Sequence, residues 1–328
     1  MTMYSVAERD RRWALACELM DAENLHALLA YGVPGAVAGP DDYLSGGPSG
    51  AIVLFPRHGR PLALTDRPTA WIQDSRPDRC AYALAAALKE HHLSRSAIGV
   101  LGLEPYPPAH DGHLLPYTLW AALLELMPQT AFVPVWPQFV QRAMPQSTEE
   151  IKALTEGAGI SSAMAAALLA AAPAEAYAAA MHAAHLRGAI PEVQLTRRGS
   201  VLLAELTCWY GYRETCRTLT LPAPDPRRHP DLAREHYQSA LRALRPGSRF
   251  GQAYDTAHAG LPGNAHARLR GLNPRSLHAE AGQTIGYDML ITPGMTFALD
   301  VTCDLPHGEA VTYGGTALVT AHETISLT

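Results

Sequence analysis

The chain has 328 residues, of which 48% are hydrophobic, and it carries 26 Lys and Arg against 31 Asp and Glu, a formal net charge of -5. This length is enough for two domains of ordinary size, each with its own core. The mildly acidic balance, without any long run of like charges, argues against a nucleic-acid partner. No run of about 18 uncharged apolar residues occurs, so we expect neither a signal peptide nor a membrane partner.

The chain contains five cysteines, an odd number, and none of them stands in a Cys-x-x-Cys pair. This usage is typical of free thiols in a reducing compartment, because small secreted proteins usually carry even sets of cysteines that form disulfides. We therefore expect a cytoplasmic protein.

Helical and strand patterns alternate along the first part of the chain. Apolar residues at helical spacing predict helices over 5–21, 81–91 and 117–127. Apolar runs predict strands over 25–31, 97–103 and 131–135, and a hairpin over 51–64. Residues 43–47, Tyr-Leu-Ser-Gly-Gly, predict a turn. Such alternation is typical of an α/β domain, which we assign to residues 1–143.

A helix-start signal opens the second part of the chain. Ser147, followed three residues later by Glu150, forms a capping box ahead of an apolar run. Ala-rich helices are predicted over 151–171 and 174–186, on either side of Pro173. Strands over 201–210, 296–303 and 316–320 and a helix over 231–244 complete an α+β domain, which we assign to residues 144–328.

Six short motifs follow one another along the chain: Tyr43-Leu-Ser-Gly, Ser147-Thr-Glu-Glu-Ile, Gly211-Tyr-Arg-Glu-Thr-Cys-Arg-Thr, Gly282-Gln-Thr-Ile-Gly, Pro293-Gly-Met-Thr-Phe and Ala317-Leu-Val-Thr. In this order they resemble the creatinase, prolidase and aminopeptidase P family over nearly the whole chain. The resemblance implies a small N-terminal α/β domain, a C-terminal domain with the pita-bread fold, in which helices flank a curved antiparallel sheet, and a homodimer.

The metallopeptidases of that family hold two divalent ions with two Asp, one His and two Glu. The resemblance puts Glu205, Glu214 and Asp300 at three of these ligand positions, whereas Gln283 and Gly314 stand at the other two. The segment between Pro191 and Val201 is also shorter than in the family. Because an amide and a hydrogen replace two ligands, we expect no two-metal centre and no other cofactor.

Three carboxylates without ions would repel one another, so at least one is expected to have a raised pKa unless a cationic substrate or an arginine neutralises them. Glu205, Glu214 and Asp300 are therefore candidate catalytic groups. The alternative is a structural network in which Arg213 and Arg217 pair with them.

Histidine is the side chain best suited to proton transfer near neutral pH. His278 is the first candidate, because it lies five residues before Gln283, and Glu280 would orient its ring if this segment is a strand. His307 is the second candidate. The residues expected to bind substrate are Gln283, Arg217, Tyr212, Tyr313 and His307, although core packing explains the tyrosines equally well.

The first hypothesis is a metal-independent enzyme in a specialised pathway, acting on a small amino-acid-derived molecule by hydrolysis or elimination at a carbon-nitrogen or neighbouring bond. The second is a non-catalytic binding or scaffold protein. The third is a metallohydrolase with a rebuilt site, in which Glu205, Glu214, Asp300 and His278 hold one ion.

Overall fold

The computed structural model describes residues 3–34, 36–47, 50–103, 115–172, 174–221, 232–274, 277–280 and 283–328. The chain divides into two compact units, Met1–Ala143 and Met144–Thr328. Pro173, Asp231 and Gly282, on which parts of the sequence predictions fall, lie outside the described residues.

Unit 1 is an α/β unit built around a six-stranded mixed sheet with the order β4-β3-β2-β1-β5-β6. Every residue of the central strand β1 is buried, which explains the continuous apolar run in its sequence. The elements are α1 (Val6–Ala22), β1 (Ala27–Tyr31), α2 (Pro40–Ser45), β2 (Ile52–Pro56), β3 (Leu62–Leu64), β4 (Asp74–Arg76), α3 (Ala81–Glu90), β5 (Ala97–Leu101), α4 (Tyr117–Leu126), β6 (Ala131–Pro134) and α5 (Trp136–Ala143).

The predicted helices and strands of unit 1 are present, but the predicted turn at residues 43–47 is wrong. Tyr43, Leu44 and Ser45 instead form the end of the short helix α2, which begins at Pro40 and is capped by Gly46 in the left-handed conformation, at φ 63°. Proline suits the first turn of a helix and glycine its C-terminal cap. The sequence reading also missed β4 and α5.

Unit 2 contains a nine-stranded antiparallel sheet with the order β12-β11-β10-β13-β14-β9-β8-β7, and β15 pairs with β14. Its elements are α6 (Thr148–Ala170), α7 (Ala176–His185), β7 (Ile190–Arg198), β8 (Val201–Tyr210), β9 (Arg213–Leu221), α8 (Leu232–Ala243), α9 (Phe250–Ala259), β10 (Ala265–Leu272), β11 (His278–Glu280), β12 (Gln283–Ile285), β13 (Thr296–Asp304), β14 (Ala310–Val319) and β15 (Thr324–Ser326).

The predicted capping box is confirmed at the start of α6. Ser147 Oγ accepts a hydrogen bond from the Glu150 N–H at 3.2 Å, and the Glu150 carboxylate accepts one from the Ser147 N–H at 2.8 Å. By length and composition α6 is apolar enough to span a membrane, but 50% of its most apolar window is buried inside the protein. That burial is typical of a core helix.

Helices cover one face of the unit 2 sheet. On this helix face, the Arg217 guanidinium donates to Ser162 Oγ of α6 at 2.9 Å, and the Tyr313 ring packs edge-on against Tyr237 of α8. Since side chains alternate between faces along a strand, Thr218 and Gly314 belong to the opposite face, which we call the groove face.

Candidate functional site

A row of polar side chains crosses the groove face, because the strand register brings together residues that are far apart in sequence. Glu205 of β8 lies opposite Thr218 of β9, and Thr218 lies opposite Gly314 of β14. The row continues through Asp300 of β13 and Arg268 of β10 to Glu280 of β11.

Two arginines of β10 lie against the carboxylates of this row. The Arg268 Nη2 atom donates to Glu205 Oε2 at 2.6 Å, and Arg268 Nε donates to Asp300 Oδ1 at 3.1 Å. Arg270 Nη2 donates to the other oxygen of Glu205 at 2.9 Å. The Arg268 guanidinium therefore bridges Glu205 and Asp300, and the Arg270 guanidinium holds the second oxygen of Glu205; we call these four side chains the guanidinium cluster.

The environment of the guanidinium cluster shifts two of its pKa values. Burial raises the pKa of Asp300, although Arg268 acts in the opposite direction. Burial disfavours the charged form of Arg268, but Asp300 and Glu205 together outweigh it and raise the pKa of the guanidinium. Arg268 is thus a fixed positive charge held between two carboxylates.

Glu214 is buried beneath the cluster rather than exposed in the groove. Its side chain is 0% exposed, and its carboxylate oxygen lies 3.8 Å from Arg270 Nη1. Asn273 fixes the local backbone, because its Oδ1 accepts from the Glu214 N–H at 2.7 Å and its Nδ2 donates to the Glu214 carbonyl at 3.1 Å. The expectation that Glu214 faces a substrate is therefore corrected.

A cavity of ≈ 260 Å³ opens on the groove face. Glu205, Asp300 and Arg268 line it, together with Glu280 and Thr218. The Thr218 hydroxyl is buried and has no hydrogen-bond partner within the described part of the chain. Because an unsatisfied buried hydroxyl costs free energy, this atom is a natural contact for a ligand.

His278 and Glu280 occupy the same short strand, β11, and are joined by a 3.5 Å contact between Nε2 and Oε2. The strand that would put them on one face is thus present. Burial lowers the pKa of His278, and the nearby Arg268 and Arg270 act in the same direction while Glu280 opposes them. The imidazole is therefore neutral at pH 7 and available to accept a proton.

Several residues expected in the site lie elsewhere. Arg217 and Tyr313 are on the helix face, and the Arg217 guanidinium donates to Ser162 Oγ rather than pairing with the carboxylates of the groove face. Arg213 forms a buried ion pair with Glu150 instead. These corrections share one cause, since neighbouring residues of a strand point to opposite faces.

The remaining expected residues lie at the ends of strands or at the margin of the sheet. Tyr212 occupies the tight turn between β8 and β9 with φ 58°, and His307 is exposed in the turn between β13 and β14. Neither lines the cavity described above. Gln283 lies in β12 opposite Glu280, and its side chain is outside the described residues.

The sequence reading missed the three groups that most define the site, Arg268, Arg270 and Thr218. A signal existed, because residues 265–270, Ala-His-Ala-Arg-Leu-Arg, alternate apolar and polar side chains as a half-buried strand does. Recognising that strand would have put both arginines on one face.

The donor set does not fit a dinuclear metal centre of the kind the resemblance implies. Glu205 and Asp300 already accept charged hydrogen bonds from Arg268, and a dication in that space would be repelled by two guanidinium groups. Among the described residues, moreover, no group of three or more His, Cys, Asp or Glu side chains is arranged to hold an ion.

A scan against protein-family models finds no match, and a search of curated protein sequences finds none. Solved structures do match over almost the whole chain. The prolidase from Pyrococcus horikoshii OT3 is 16% identical with a TM-score of 0.74, over 96% of this chain and 97% of that one. The X-Pro aminopeptidase from Thermotoga maritima MSB8 is 14% identical with a TM-score of 0.72, over 94% and 97%.

The N-terminal domain of the FACT complex subunit SPT16 from Cicer arietinum matches as well, at 14% identity and a TM-score of 0.68, over 97% of this chain and 95% of that one. The fold is therefore shared by proteins whose names denote peptidases and by a subunit of a larger complex. The chain has the pita-bread fold of the creatinase and prolidase type, as the motif order predicted.

Proposed function

We propose that this chain is a metal-independent, cytoplasmic enzyme that acts on a small amino-acid-derived molecule in the groove of unit 2. The observation that carries the proposal is the guanidinium cluster, in which Arg268 and Arg270 lie against the carboxylates that would otherwise hold ions. Fixed cations of the protein itself take over the charge compensation that metals supply in related folds.

The charge of the site favours a substrate with one positive charge. Glu205, Glu214, Glu280 and Asp300 carry four negative charges against the three positive charges of Arg198, Arg268 and Arg270, so one negative charge is left over. Thr218 lines the same cavity, and its hydroxyl has no hydrogen-bond partner among the described residues. A protonated amine would neutralise the excess charge and donate to that hydroxyl, which is the reason for proposing an amino-acid-derived substrate.

His278 is the proposed proton acceptor. Because burial lowers its pKa, the imidazole is neutral when the carboxylates are charged, and it can take a proton from the substrate or from water at the reacting centre. Glu280 contacts Nε2 and would stabilise the imidazolium that forms. Hydrolysis and elimination at a carbon-nitrogen or neighbouring bond both require such a group.

Metal analysis of protein purified without chelator tests the absence of a metal. We expect well under one ion per chain and activity that survives chelator. Stoichiometric Mn, Zn or Co, with activity lost to chelator, would establish the metallohydrolase hypothesis instead.

Thermal shift with free amino acids and their N-acetyl derivatives tests the substrate class. Free amines are expected to stabilise the protein and N-acetylated partners are not, because binding to the folded state raises stability. Thr218→Val should weaken amine binding about tenfold or more, since it removes one hydrogen bond to a charged group. Thr256→Val, which changes an exposed threonine of α9, is the matched control. Equal stabilisation by both members of each pair would contradict an amine-binding groove.

A non-catalytic binding protein is the second candidate, and one observation favours it. Glu205 and Asp300 are already engaged by the protein's own arginines, so neither is free to act on a substrate without rearrangement. His278→Gln separates the two functions. For an enzyme it should lower kcat while amine binding persists, whereas a protein that binds amines without turning any of them over would be a binding module.

A further inference from the structure

The cavity on the groove face extends beyond the row of side chains that runs from Glu205 to Glu280, which we call the first row. A second row lies two residues further along the strands, and three of its members line the same cavity: His266 of β10, Thr302 of β13 and Thr312 of β14. Arg198, the last residue of β7, lines the cavity as well. This part of the cavity, which we call the distal end, contains groups that the guanidinium cluster does not use.

The curvature of the sheet brings the two sides of the distal end together. Arg268 of β10 and Glu205 of β8 are separated by three strands, which corresponds to about 19 Å between their backbones in a flat sheet. Their side chains nevertheless meet at 2.6 Å, so the groove face is concave. His266 lies two residues from Arg268 on the same face of β10, and Arg198 lies on β7, the neighbour of β8. Both basic side chains therefore reach one cavity.

The charges of the cavity are unevenly distributed between its two ends. The described carboxylates that line it all belong to the first row: Glu205, Asp300 and Glu280. Arg268 compensates one of them, and the buried Glu214 lies against Arg270, so two negative charges are in excess in the first row. The distal end has the opposite sign, because Arg198 adds a positive charge there.

The two basic side chains of the distal end are not engaged by carboxylates of the protein. Among the described residues, Arg198 and His266 form no ion pair. Asp304 and Glu309 lie beyond the distal end, but neither lines the cavity, and Glu309 accepts a hydrogen bond from Ser200. A guanidinium suits bidentate binding of a carboxylate, and an imidazole N–H can donate a further hydrogen bond to it.

The threonines of the second row leave this role to the basic side chains. Thr302 donates its hydroxyl proton to Thr312 Oγ1 at 3.0 Å, and Thr312 donates its own to the Val301 carbonyl at 3.3 Å. Both hydroxyl protons are thus committed within the sheet. A carboxylate at the distal end therefore has to be held by Arg198 and His266.

We infer that Arg198 and His266 form a carboxylate subsite, and that the groove binds a basic amino acid. The carboxylate of this ligand lies at the distal end, and its two cationic groups lie against the first row, where two negative charges are in excess. The buried Thr218 hydroxyl accepts a hydrogen bond from one of the cationic groups. A basic amino acid has a net single positive charge, which balances the one negative charge left over in the whole site. The inference rests on the proposed amine-binding groove and specifies what that groove binds.

Calorimetric titration of the full-length protein with L-lysine and with cadaverine tests the subsite, because cadaverine has both amines of lysine and lacks only the carboxylate. We expect L-lysine to bind about tenfold more tightly or better, as hydrogen bonds between charged groups allow. Norleucine, which lacks the side-chain amine, should bind about tenfold more weakly than L-lysine. Equal affinities for lysine and cadaverine would overturn the carboxylate subsite. Equal affinities for lysine and norleucine would overturn the basic class of ligand.

Arg198→Met separates the carboxylate subsite from the amine contacts. It should weaken L-lysine binding about tenfold without weakening cadaverine binding, because only the distal end loses a charge. His266→Leu should weaken lysine binding selectively in the same way. Arg197→Met, the same change at the neighbouring residue, which points to the opposite face of β7, is the matched control and should leave both affinities unchanged. An Arg198→Met variant that loses affinity for lysine and cadaverine equally, or for neither, would contradict the subsite.

Failure of this inference is distinguishable from failure of the amine-binding groove. If cadaverine binds as tightly as lysine, the groove binds amines and the distal end is not a subsite. Hexanoate has a carboxylate and no amine. If hexanoate binds to the unmodified protein but not to Arg198→Met, while cadaverine does not bind, the carboxylate subsite stands and both the amine-binding groove and the basic class of ligand are wrong. Binding of none of the three ligands would overturn the groove and the subsite together.

Discussion

Gly314 lies in β14 opposite Asp300, at the position where the resemblance places a metal-binding glutamate. A Cβ atom at this residue would lie 2.5 Å from the Cα atom of Asp300, a distance that requires the two strands to move apart. At this point β13 and β14 lie too close together for a side chain at residue 314. A single reversion to glutamate does not rebuild a metal site in this backbone.

We expect Gly314→Ala to lower the free energy of unfolding by about 1–3 kcal/mol, the usual cost of overpacking. Gly159→Ala is the matched control, because a Cβ there meets nothing within 4 Å and alanine is favoured over glycine in a helix by about 1 kcal/mol. Urea unfolding should therefore give opposite signs for the two variants. A neutral or stabilising effect at 314 would contradict the close approach.

His278 gives the folded protein a pH dependence whose sign follows from burial. Its pKa is lowered in the folded state, so the unfolded chain binds a proton more readily than the folded one. Its contribution to stability is present above the unfolded value of about 6.5 and is lost as pH falls through 6.5 towards the folded pKa.

His278→Gln should accordingly flatten the decline of the free energy of unfolding as the pH falls below 7. His322→Gln, which changes an exposed histidine in the turn before β15, should leave the decline as it is. Urea unfolding at a series of pH values measures both slopes. Identical slopes in the unmodified protein and the His278 variant would mean that His278 is not buried as described.

The sequence could predict some site residues and not others, because alternate residues of a strand point to opposite faces of the sheet. Glu205 and Asp300 both line the cavity. They could be predicted because the resemblance places them at metal-ligand positions of the family. Arg217 was judged by its proximity in sequence to Glu214, but odd and even residues of β9 point to opposite faces. Register, which depends on pairing partners distant in the chain, decides between them.

At the scale of elements, Glu150 connects the start of α6 to the hairpin of β8 and β9. Its carboxylate accepts the Ser147 N–H at 2.8 Å and also pairs with Arg213, a contact in which both side chains are almost fully buried. One residue thus caps a helix and neutralises a buried cation. Removing the cap and removing the ion pair should therefore lower the free energy of unfolding by different amounts.

Ser147→Ala is expected to lower the free energy of unfolding by about 1 kcal/mol, because only the N-cap hydrogen bond is lost. Glu150→Gln should cost more, about 3–5 kcal/mol, since it removes the charge of the carboxylate that pairs with the buried Arg213. The double variant Glu150→Gln with Arg213→Met should recover part of that loss. Equal costs for Ser147→Ala and Glu150→Gln in chemical unfolding would argue against the second function.

Elements with strong periodicity or caps, such as α1, α3 and α6, were predictable from the sequence. The missed strands have polar residues where a buried strand would have apolar ones. β10 carries Arg268 and Arg270 on the groove face, and β7 contains Pro191 and ends in two arginines. The polar residues of β10 belong to the groove, and those of β7 belong to a sheet edge. Their strand conformation depends on pairing, of β10 with β13 and of β7 with β8.

At the scale of the whole molecule, each unit has its own hydrophobic core. One cluster of buried apolar residues lies among α3, α4 and the sheet of unit 1, and another lies among α6, α7, β7 and β8 of unit 2. The sequence could predict this division through composition and capping. The order of strands in the larger sheet could not be read from it, because β10, β13, β14 and β9 become neighbours through contacts of long sequence separation.

The larger sheet brings Arg268 from β10 to Glu205 from β8, so a cation of the protein itself lies against this carboxylate. In the unmodified protein a divalent cation would have to displace a guanidinium that two carboxylates hold. We therefore expect Mn²⁺ or a chelator to leave Tm unchanged within experimental error. Ligands that bind the folded state raise Tm, and about 1 kcal/mol corresponds to roughly 2–4 °C for a domain of this size.

Arg268→Ala should reverse this behaviour. Removing the guanidinium leaves Glu205 and Asp300 facing each other without compensation, which lowers Tm in the absence of metal and makes the pair a weak oxygen-donor site. Added Mn²⁺ is then expected to raise the Tm of the variant by a few degrees. Arg249→Ala, which breaks an exposed ion pair with Asp288, should show no such gain. If Mn²⁺ raises the Tm of the unmodified protein as much as it raises the Tm of the Arg268→Ala variant, then the Arg268 guanidinium does not fill the space that a metal ion would take.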